Sequence, residues 1–254
     1  MTVRNIRFRH SVIRKVLGLA AVSGLAMQPV ESAFAKVVEV SMTAVETKLV
    51  IDGEGHTYDA WTFNGQFPGP VIRVQEGDEV VFSLTNPETN GRPHSMDFHA
   101  AETNFLEHYK EVRPGESLQY RFKAKWPGIF AYHCGASPMI QHIARGMMGA
   151  IIVDPKDPKA LPKADREYVL VQSELFKDPD DVDGMFDRKY QHVVFNGSVF
   201  RYDPVHSKAG GDFLDAKPGE RVRFYFVNAG PNNVSAVHPI AEIWDDVWES
   251  GNPA

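Results

Sequence analysis

A cysteine, a histidine and a methionine follow one another closely in the middle of the chain. Seven residues separate Cys134 from His142, four separate His142 from Met147, and His94 lies upstream. A thiolate, two imidazoles and a weakly bound thioether form the ligand set of a blue, or type 1, copper centre. Zinc fits less well, because structural zinc sites prefer more cysteines. These four residues therefore predict a copper site.

The axial methionine of this site has alternatives in the same segment. Met139 and Met148 lie near the same loop as Met147. We favour Met147 because it follows Gly146, which permits a close approach of the backbone.

A second group of residues is predicted on the opposite face of the same strand. His133 and Cys134 are adjacent, so their side chains point to opposite faces of a strand. Asp97 and His99 are two residues apart, so their side chains share a face of a regular strand. His94 and His99 are five residues apart, so their side chains point to opposite faces. His99 and His133, with Asp97 nearby, suit an open catalytic copper, and the Cys134–His133 bond gives electrons a short path between the two metals.

The elements that position these residues are strands. Polar and apolar residues alternate over 80–84, 118–124 and 222–226, and turn-forming pairs such as Asn-Gly and Pro-Gly recur between such segments. Only residues 138–145 could make a helical turn or two. The pattern predicts an all-β chain folded as a β-sandwich with Greek-key connections.

An internal repeat predicts two domains. Residues 76–86 resemble residues 218–228, and each copy has an Asn-Gly pair upstream and a histidine downstream. We expect a first sandwich over 36–154 and a second over 155–254. The first copy ends with a Pro-Gly turn and a His-Cys strand, whereas the second stops before such a segment, so the second sandwich is predicted to be incomplete.

The amino terminus predicts export. Residues 1–35 have a basic start, an apolar run over 16–27 and an Ala33-Phe34-Ala35 cleavage site, which together are typical of a signal peptide. Without this segment the net charge changes from −6 to −10, which argues against a nucleic acid partner. We expect a periplasmic protein with no membrane span after removal of the leader.

The chain resembles the copper-containing nitrite reductases, which are two-domain cupredoxin enzymes. The resemblance runs from about residue 64 to residue 251 and is most specific in HSMDFHAA (94–101), YHCG (132–135) and HIARGMMGAIIV (142–153). It implies a type 1 copper on His94, Cys134, His142 and Met147, a type 2 copper on His99 and His133, and catalytic roles for Asp97 and His238.

The resemblance also implies partners. The family reduces nitrite with electrons from a small redox protein, a cupredoxin or a cytochrome c. Its members are homotrimers, and each type 2 copper lies between subunits and takes a third histidine from the neighbour's second domain. That histidine has no counterpart in this sequence, and residues 102–112 are longer-chained and more charged than in the family. His108, within that segment, is given no role.

Two other functions compete with nitrite reduction. A two-domain, laccase-like multicopper oxidase needs His-x-His pairs in both domains, but here the first is Asp97-Phe98-His99 and the second His238-Pro239-Ile240. An electron-transfer cupredoxin, or an inactive fragment, would carry type 1 copper alone and leave Asp97, His99 and His238 without a task.

Overall fold

A computed structural model describes residues 35–207 and 212–253, and the predicted signal peptide falls almost entirely outside this part of the chain. The described elements are eleven strands and three short α-helices, with one 3-10 turn at Glu249–Gly251. In chain order they are β1 (Val37–Val50), β2 (Thr57–Phe63), β3 (Ile72–Gln75), β4 (Glu79–Thr85), β5 (Asp97–Phe98), α1 (Phe105–His108), β6 (Ser117–Lys123), β7 (Gly128–His133), α2 (Met139–Ala144), β8 (Met148–Asp154), β9 (Arg166–Phe176), α3 (Val182–Phe186), β10 (Tyr190–Phe195) and β11 (Val222–Asn228).

The first eight strands form a sandwich of two four-stranded sheets. One sheet has the order β2-β1-β4-β6 and the other the order β3-β8-β7-β5. Apolar side chains such as Phe63, Phe82 and Phe98 fill the space between the sheets and are almost fully buried. The alternation in β4 and β6 puts every second residue into this core, which is the periodicity that predicted the strands. The prediction of an all-β sandwich is confirmed.

The second half of the chain repeats the pairing of the first. β1 pairs antiparallel with β2 and parallel with β4, and β9 pairs in the same way with β10 and β11. An asparagine with positive φ follows β2 and β10, at Asn64 (57°) and Asn196 (49°). Each holds the central strand, since the Thr43 and Val171 amides donate to the Asn64 and Asn196 Oδ1 atoms at 2.7 and 2.8 Å. These matching contacts support a duplication.

The repeat is incomplete in the part of the chain that the structure describes. The second copy has one sheet of three strands, in the order β10-β9-β11, and no counterpart of the sheet that contains β7. The helices have four to six residues, and α2 lies where one or two helical turns were predicted. Within the described ranges no helix is long and apolar enough to cross a membrane.

Candidate metal centres

Three predicted ligands meet at one end of the first sandwich. His94 lies between β4 and β5 and pairs through its backbone with Val112, Cys134 directly follows β7, and His142 lies in α2. The His142 Nδ1 atom is 3.2 Å from the Cys134 Sγ atom and 3.3 Å from the His94 Nδ1 atom. Their three ligand atoms all lie within 4.8 Å of one another. This arrangement, hereafter the buried cluster, can close around one ion.

Burial sets the protonation of this cluster. All three side chains are almost inaccessible to solvent. Burial lowers the pKa of His142 to about 3, so its imidazole is neutral and its lone pair can bind a metal. Burial raises the pKa of the Cys134 thiol to about 11, so thiolate forms only when a cation replaces its proton. A soft sulfur with two neutral imidazoles fits copper by the chemistry of its donors.

Packing distinguishes the three candidate axial methionines. Met147 is fully buried in the same core as Cys134, whereas Met148, the next residue on the strand, packs in a different cluster with Ile129 and Ile152. Met139 is 49% exposed. The Cys134 amide donates to the Met147 carbonyl at 2.9 Å, which ties these two residues together. The packing therefore favours Met147.

The glycine before Met147 lies where the backbone packs closely against another side chain. Gly146 has a φ of +113°, and a Cβ at this position would lie 3.0 Å from the Phe67 ring. Its backbone thus makes a close approach to an aromatic side chain of the loop between β2 and β3. A larger residue here would displace Phe67 or the turn that presents Met147.

A second cluster lies on the other face of β7 and is hereafter the open cluster. The His99 and His133 Nε2 atoms are 3.0 Å apart, and the Asp97 Oδ2 atom lies 3.9 and 3.7 Å from them. β5 brings Asp97 opposite His133 through antiparallel pairing with β7. The His99 side chain is 52% exposed, so the cluster opens to solvent. Two imidazoles and a carboxylate with an open side suit a metal that also binds a small ligand.

The two clusters are joined by a single peptide bond. His133 ends β7 and points to the open cluster, whereas Cys134 points to the buried one. The His133 Nδ1 atom lies 3.0 Å from the Cys134 carbonyl oxygen. Donation of an Nδ1 proton to that oxygen leaves the Nε2 lone pair directed at His99. The backbone itself therefore orients one imidazole of the open cluster.

His238 lies away from both clusters. It is exposed in the segment after β11, and its Nδ1 atom is 3.1 Å from the Pro239 carbonyl oxygen. Among the described residues it does not converge with Asp97, His99 and His133. This chain alone does not bring the predicted catalytic pair together.

Sequence reasoning missed a carboxylate that holds His94. The Glu46 Oε1 atom of β1 lies 3.3 Å from the His94 Nε2 atom. The backbone amides of Gly91 and Arg92 also donate to Glu46, at 2.9–3.1 Å. Histidine ligands of metals commonly donate their second nitrogen to such a carboxylate. Glu46 and His94 are 48 positions apart in the sequence, and no local pattern indicates the contact.

Other neighbours of the buried cluster were also missed. The Ser95 amide donates to the Cys134 Sγ atom at 3.2 Å, and hydrogen bonds to such a sulfur tune the potential of the metal. The Trp61 ring packs against the His142 ring, with ring centres 4.7 Å apart. The Arg145 guanidinium lies over the Trp61 ring, 4.5 Å from its centre. These side chains keep water from the cluster.

Known proteins that are similar to this chain also contain copper. A family model described as multicopper oxidase matches residues 44–158. A copper-containing nitrite reductase of Neisseria gonorrhoeae is 40% identical over 230 residues, which cover 84% of this chain and 55% of that protein. Another, from Alcaligenes xylosoxydans xylosoxydans, is 36% identical over 242 residues, covering 85% of this chain and 70% of the relative.

A solved structure is also similar. The copper nitrite reductase from Nitrosomonas europaea is 59% identical and superimposes with a TM-score of 0.84, covering 85% of this chain and 76% of that one. The chain spans little more than half, 55%, of the length of the Neisseria gonorrhoeae relative.

Proposed function

The chain belongs to the copper-containing nitrite reductases, and we propose that it reduces nitrite to nitric oxide and water. The observation that carries this proposal is the pair of clusters joined by the Cys134–His133 peptide bond. The reaction takes one electron and two protons for each nitrite. The buried cluster suits electron transfer, and the open cluster suits substrate binding.

Two sets of side chains would hold the metals. His94, Cys134, His142 and Met147 would bind type 1 copper, and His99 and His133 would contribute to type 2 copper. Copper supplies a one-electron carrier in the first position and a Lewis acid for nitrite in the second. The Cys134–His133 bond is the shortest covalent route for electrons between them.

Asp97 is the proton donor on this chain. Its Oδ2 atom lies 3.7–3.9 Å from the two Nε2 atoms of the open cluster, so a small anion held at those imidazoles would come within hydrogen-bonding reach of the carboxyl group. A group so placed can deliver a proton to a nitrite oxygen as its N–O bond breaks. His238 is the proposed second donor.

Replacement of Asp97 tests this function. We expect Asp97→Asn to lower kcat for nitrite by about a hundredfold or more, because a general acid contributes about 10²–10⁴. The blue absorption should persist, since Asp97 is not part of the buried cluster. Nitric oxide release from reduced, copper-loaded protein measures the rate, and Asp59→Asn, at an exposed ion pair with Lys48, is the matched control. An unchanged rate in Asp97→Asn would exclude the proposed role.

An electron carrier with type 1 copper alone is the rival function. The buried cluster is closed to solvent and can hold its metal without a partner. The described residues contribute only two imidazoles to the open cluster, and this difference favours the rival function. A laccase-like oxidase has less support, because the same histidine count is too low for a trinuclear centre. Oxygen uptake with a phenolic substrate distinguishes the oxidase from a nitrite reductase.

The proposed assembly is a homotrimer with the open cluster between subunits. Two features support it: His99 is half exposed, and His238 is exposed and does not join Asp97, His99 and His133 in the described part of one chain. In the trimer the His238 of one protomer reaches the open cluster of its neighbour.

The proposed location rests on the sequence, and the proposed electron donor rests on the family. The basic and apolar pattern of residues 1–35 and the Ala33-Phe34-Ala35 site support export to the periplasm. There a small cupredoxin or cytochrome c would deliver electrons to the buried cluster, in a denitrifying reaction. Fractionation of cells that express the full chain tests the location.

A further inference from the structure

The two oxygens of the Asp97 carboxylate have different partners. Oδ2 faces the His133 and His99 Nε2 atoms at 3.7 and 3.9 Å, whereas Oδ1 accepts a hydrogen bond from the Tyr109 hydroxyl. Burial, together with the neighbouring Asp97, raises the pKa of Tyr109, so the hydroxyl keeps its proton at neutral pH. Tyr109 thus holds one edge of the carboxylate while the other edge faces the open cluster.

Tyr109 comes from the segment in which the sequence departs from the family. It directly follows α1, and its amide donates to the Phe105 carbonyl at 3.0 Å. Asn104 caps the start of α1 by accepting from the Leu106 amide at 3.2 Å. The His108 ring stacks on Tyr120 of β6, with ring centres 4.7 Å apart and planes 12° apart. His108, which had no role in the sequence, therefore anchors this turn to the sandwich.

Both ends of the segment are also fastened. At its start the Glu102 carboxylate accepts from Trp126 Nε1 at 2.9 Å and from Lys125 Nζ at 2.5 Å. At its end the backbones of Val112 and His94 exchange hydrogen bonds of 2.7 and 3.0 Å. A segment held at both ends and in the middle can fix the position of a phenol ring.

We propose that Tyr109 is a positioning residue for nitrite reduction, and that its hydroxyl keeps the Asp97 carboxylate turned so that Oδ2 faces the His99–His133 pair. This inference rests on the proposed function of Asp97 as proton donor. The terminal torsion of an aspartate is broad, so without the hydroxyl the carboxylate can rotate away from the imidazoles. A proton donor displaced in this way delivers its proton less often, although the ligands of both metals are untouched.

The test is Tyr109→Phe, which removes the hydroxyl and keeps the ring. We expect kcat for nitrite to fall by about tenfold to a hundredfold, because small displacements of a reacting group have costs of this order. KM should change far less, and the blue absorption should not change. Leu106→Ala, at an exposed position of α1, controls for disturbance of the turn, and Tyr190→Phe controls for loss of a phenol elsewhere. Both controls should keep the kcat of the unmodified protein.

A second readout does not depend on copper or activity. Crystal structures of the metal-free protein and of Tyr109→Phe should show Asp97 facing His133 in the former and rotated in the latter. An unchanged Asp97 in the variant overturns the inference, as does an unchanged kcat in an active protein. If the unmodified protein does not reduce nitrite, the proposed function fails, and the orientation of Asp97 alone decides whether Tyr109 positions it.

Discussion

At the scale of single residues, His94 shows how a proposed ligand is held by its neighbours. Its Nδ1 atom faces the buried cluster, while its Nε2 atom lies 3.3 Å from the Glu46 carboxylate. Burial lowers the pKa of His94, and the nearby Glu46 opposes this shift. The carboxylate thus fixes both the ring orientation and the tautomer that leaves Nδ1 available.

Glu46→Gln should weaken the buried cluster without abolishing it. We expect copper affinity to fall by about 10–100-fold, as is typical when the carboxylate behind a ligating histidine is changed. The amide oxygen of Gln can still accept from Gly91 and Arg92, so the fold should be retained. Competition with a copper chelator measures the affinity, and Glu39→Gln, exposed on the same strand, is the control. Equal affinities in Glu46→Gln and the control would contradict the assigned role.

Local spacing predicted some site residues and could not predict others. Cys134, His142 and Met147 lie in one short segment, and the alternation of a strand separates His133 from Cys134. Glu46 and Trp61 reach the buried cluster from strands far away in sequence, so only the tertiary structure reveals them. Tyr109 lies in a turn whose sequence has no strand periodicity and gives no sign of its contact with Asp97.

At the scale of elements, one arginine joins strands from the two halves of the chain. Arg73 of β3 binds Asp154 at the end of β8 through two hydrogen bonds of 2.7 and 2.8 Å. It also contacts Glu167 of β9 at 2.5 Å, and Arg223 of β11 contacts the same carboxylate at 2.6 Å. Burial raises the pKa of Glu167, but the two arginines outweigh this effect and hold it below its usual range.

This network should make the free energy of unfolding depend on pH. Because the pKa of Glu167 is lower in the folded chain, its contribution is present above the unfolded pKa and is lost as the pH falls from about 5 to about 3. We expect Glu167→Gln to cost about 1 kcal/mol of unfolding free energy at pH 7 and less at pH 3. Urea unfolding at both pH values measures this, with Glu79→Gln, at an exposed ion pair with Arg121, as control. A cost that stays constant with pH would contradict it.

The strands themselves were predictable, but their pairing was less so. Alternation in β4, β6 and β11 indicated half-buried strands, and the Asn-Gly pairs marked the turns after β2 and β10. The parallel pairing of β1 with β4, and of β9 with β11, joins segments that are far apart in sequence. Periodicity reports which face of a strand is buried and carries no information about its neighbour.

At the scale of the whole molecule, the proposed active site needs two protomers. Asp97 belongs to the open cluster of one chain, and His238, exposed on the same chain, would serve the cluster of another. If so, two different inactive variants can complement each other in one trimer. A site that needs only one chain cannot be restored in this way.

Co-expression of Asp97→Asn with His238→Ala tests the shared site. Each variant alone should be nearly inactive, while both keep the blue absorption. In mixed trimers, sites with Asp97 from one chain and His238 from the other should recover, which is about a quarter of the sites at equal expression. Mixing the purified trimers without subunit exchange is the control. If the co-expressed protein is no more active than either variant alone, the shared site is contradicted. Either both residues act within one chain, or one of them has no catalytic role.

The proposed function depends on two metal sites in one chain. The most direct test is the copper content and electron paramagnetic resonance spectrum of the purified, copper-loaded protein. We expect about two copper ions per chain, one with the narrow hyperfine pattern of a thiolate-bound type 1 centre and one with a wide type 2 pattern. A single copper with only the narrow pattern would contradict nitrite reduction by this chain and make it an electron carrier or an inactive fragment.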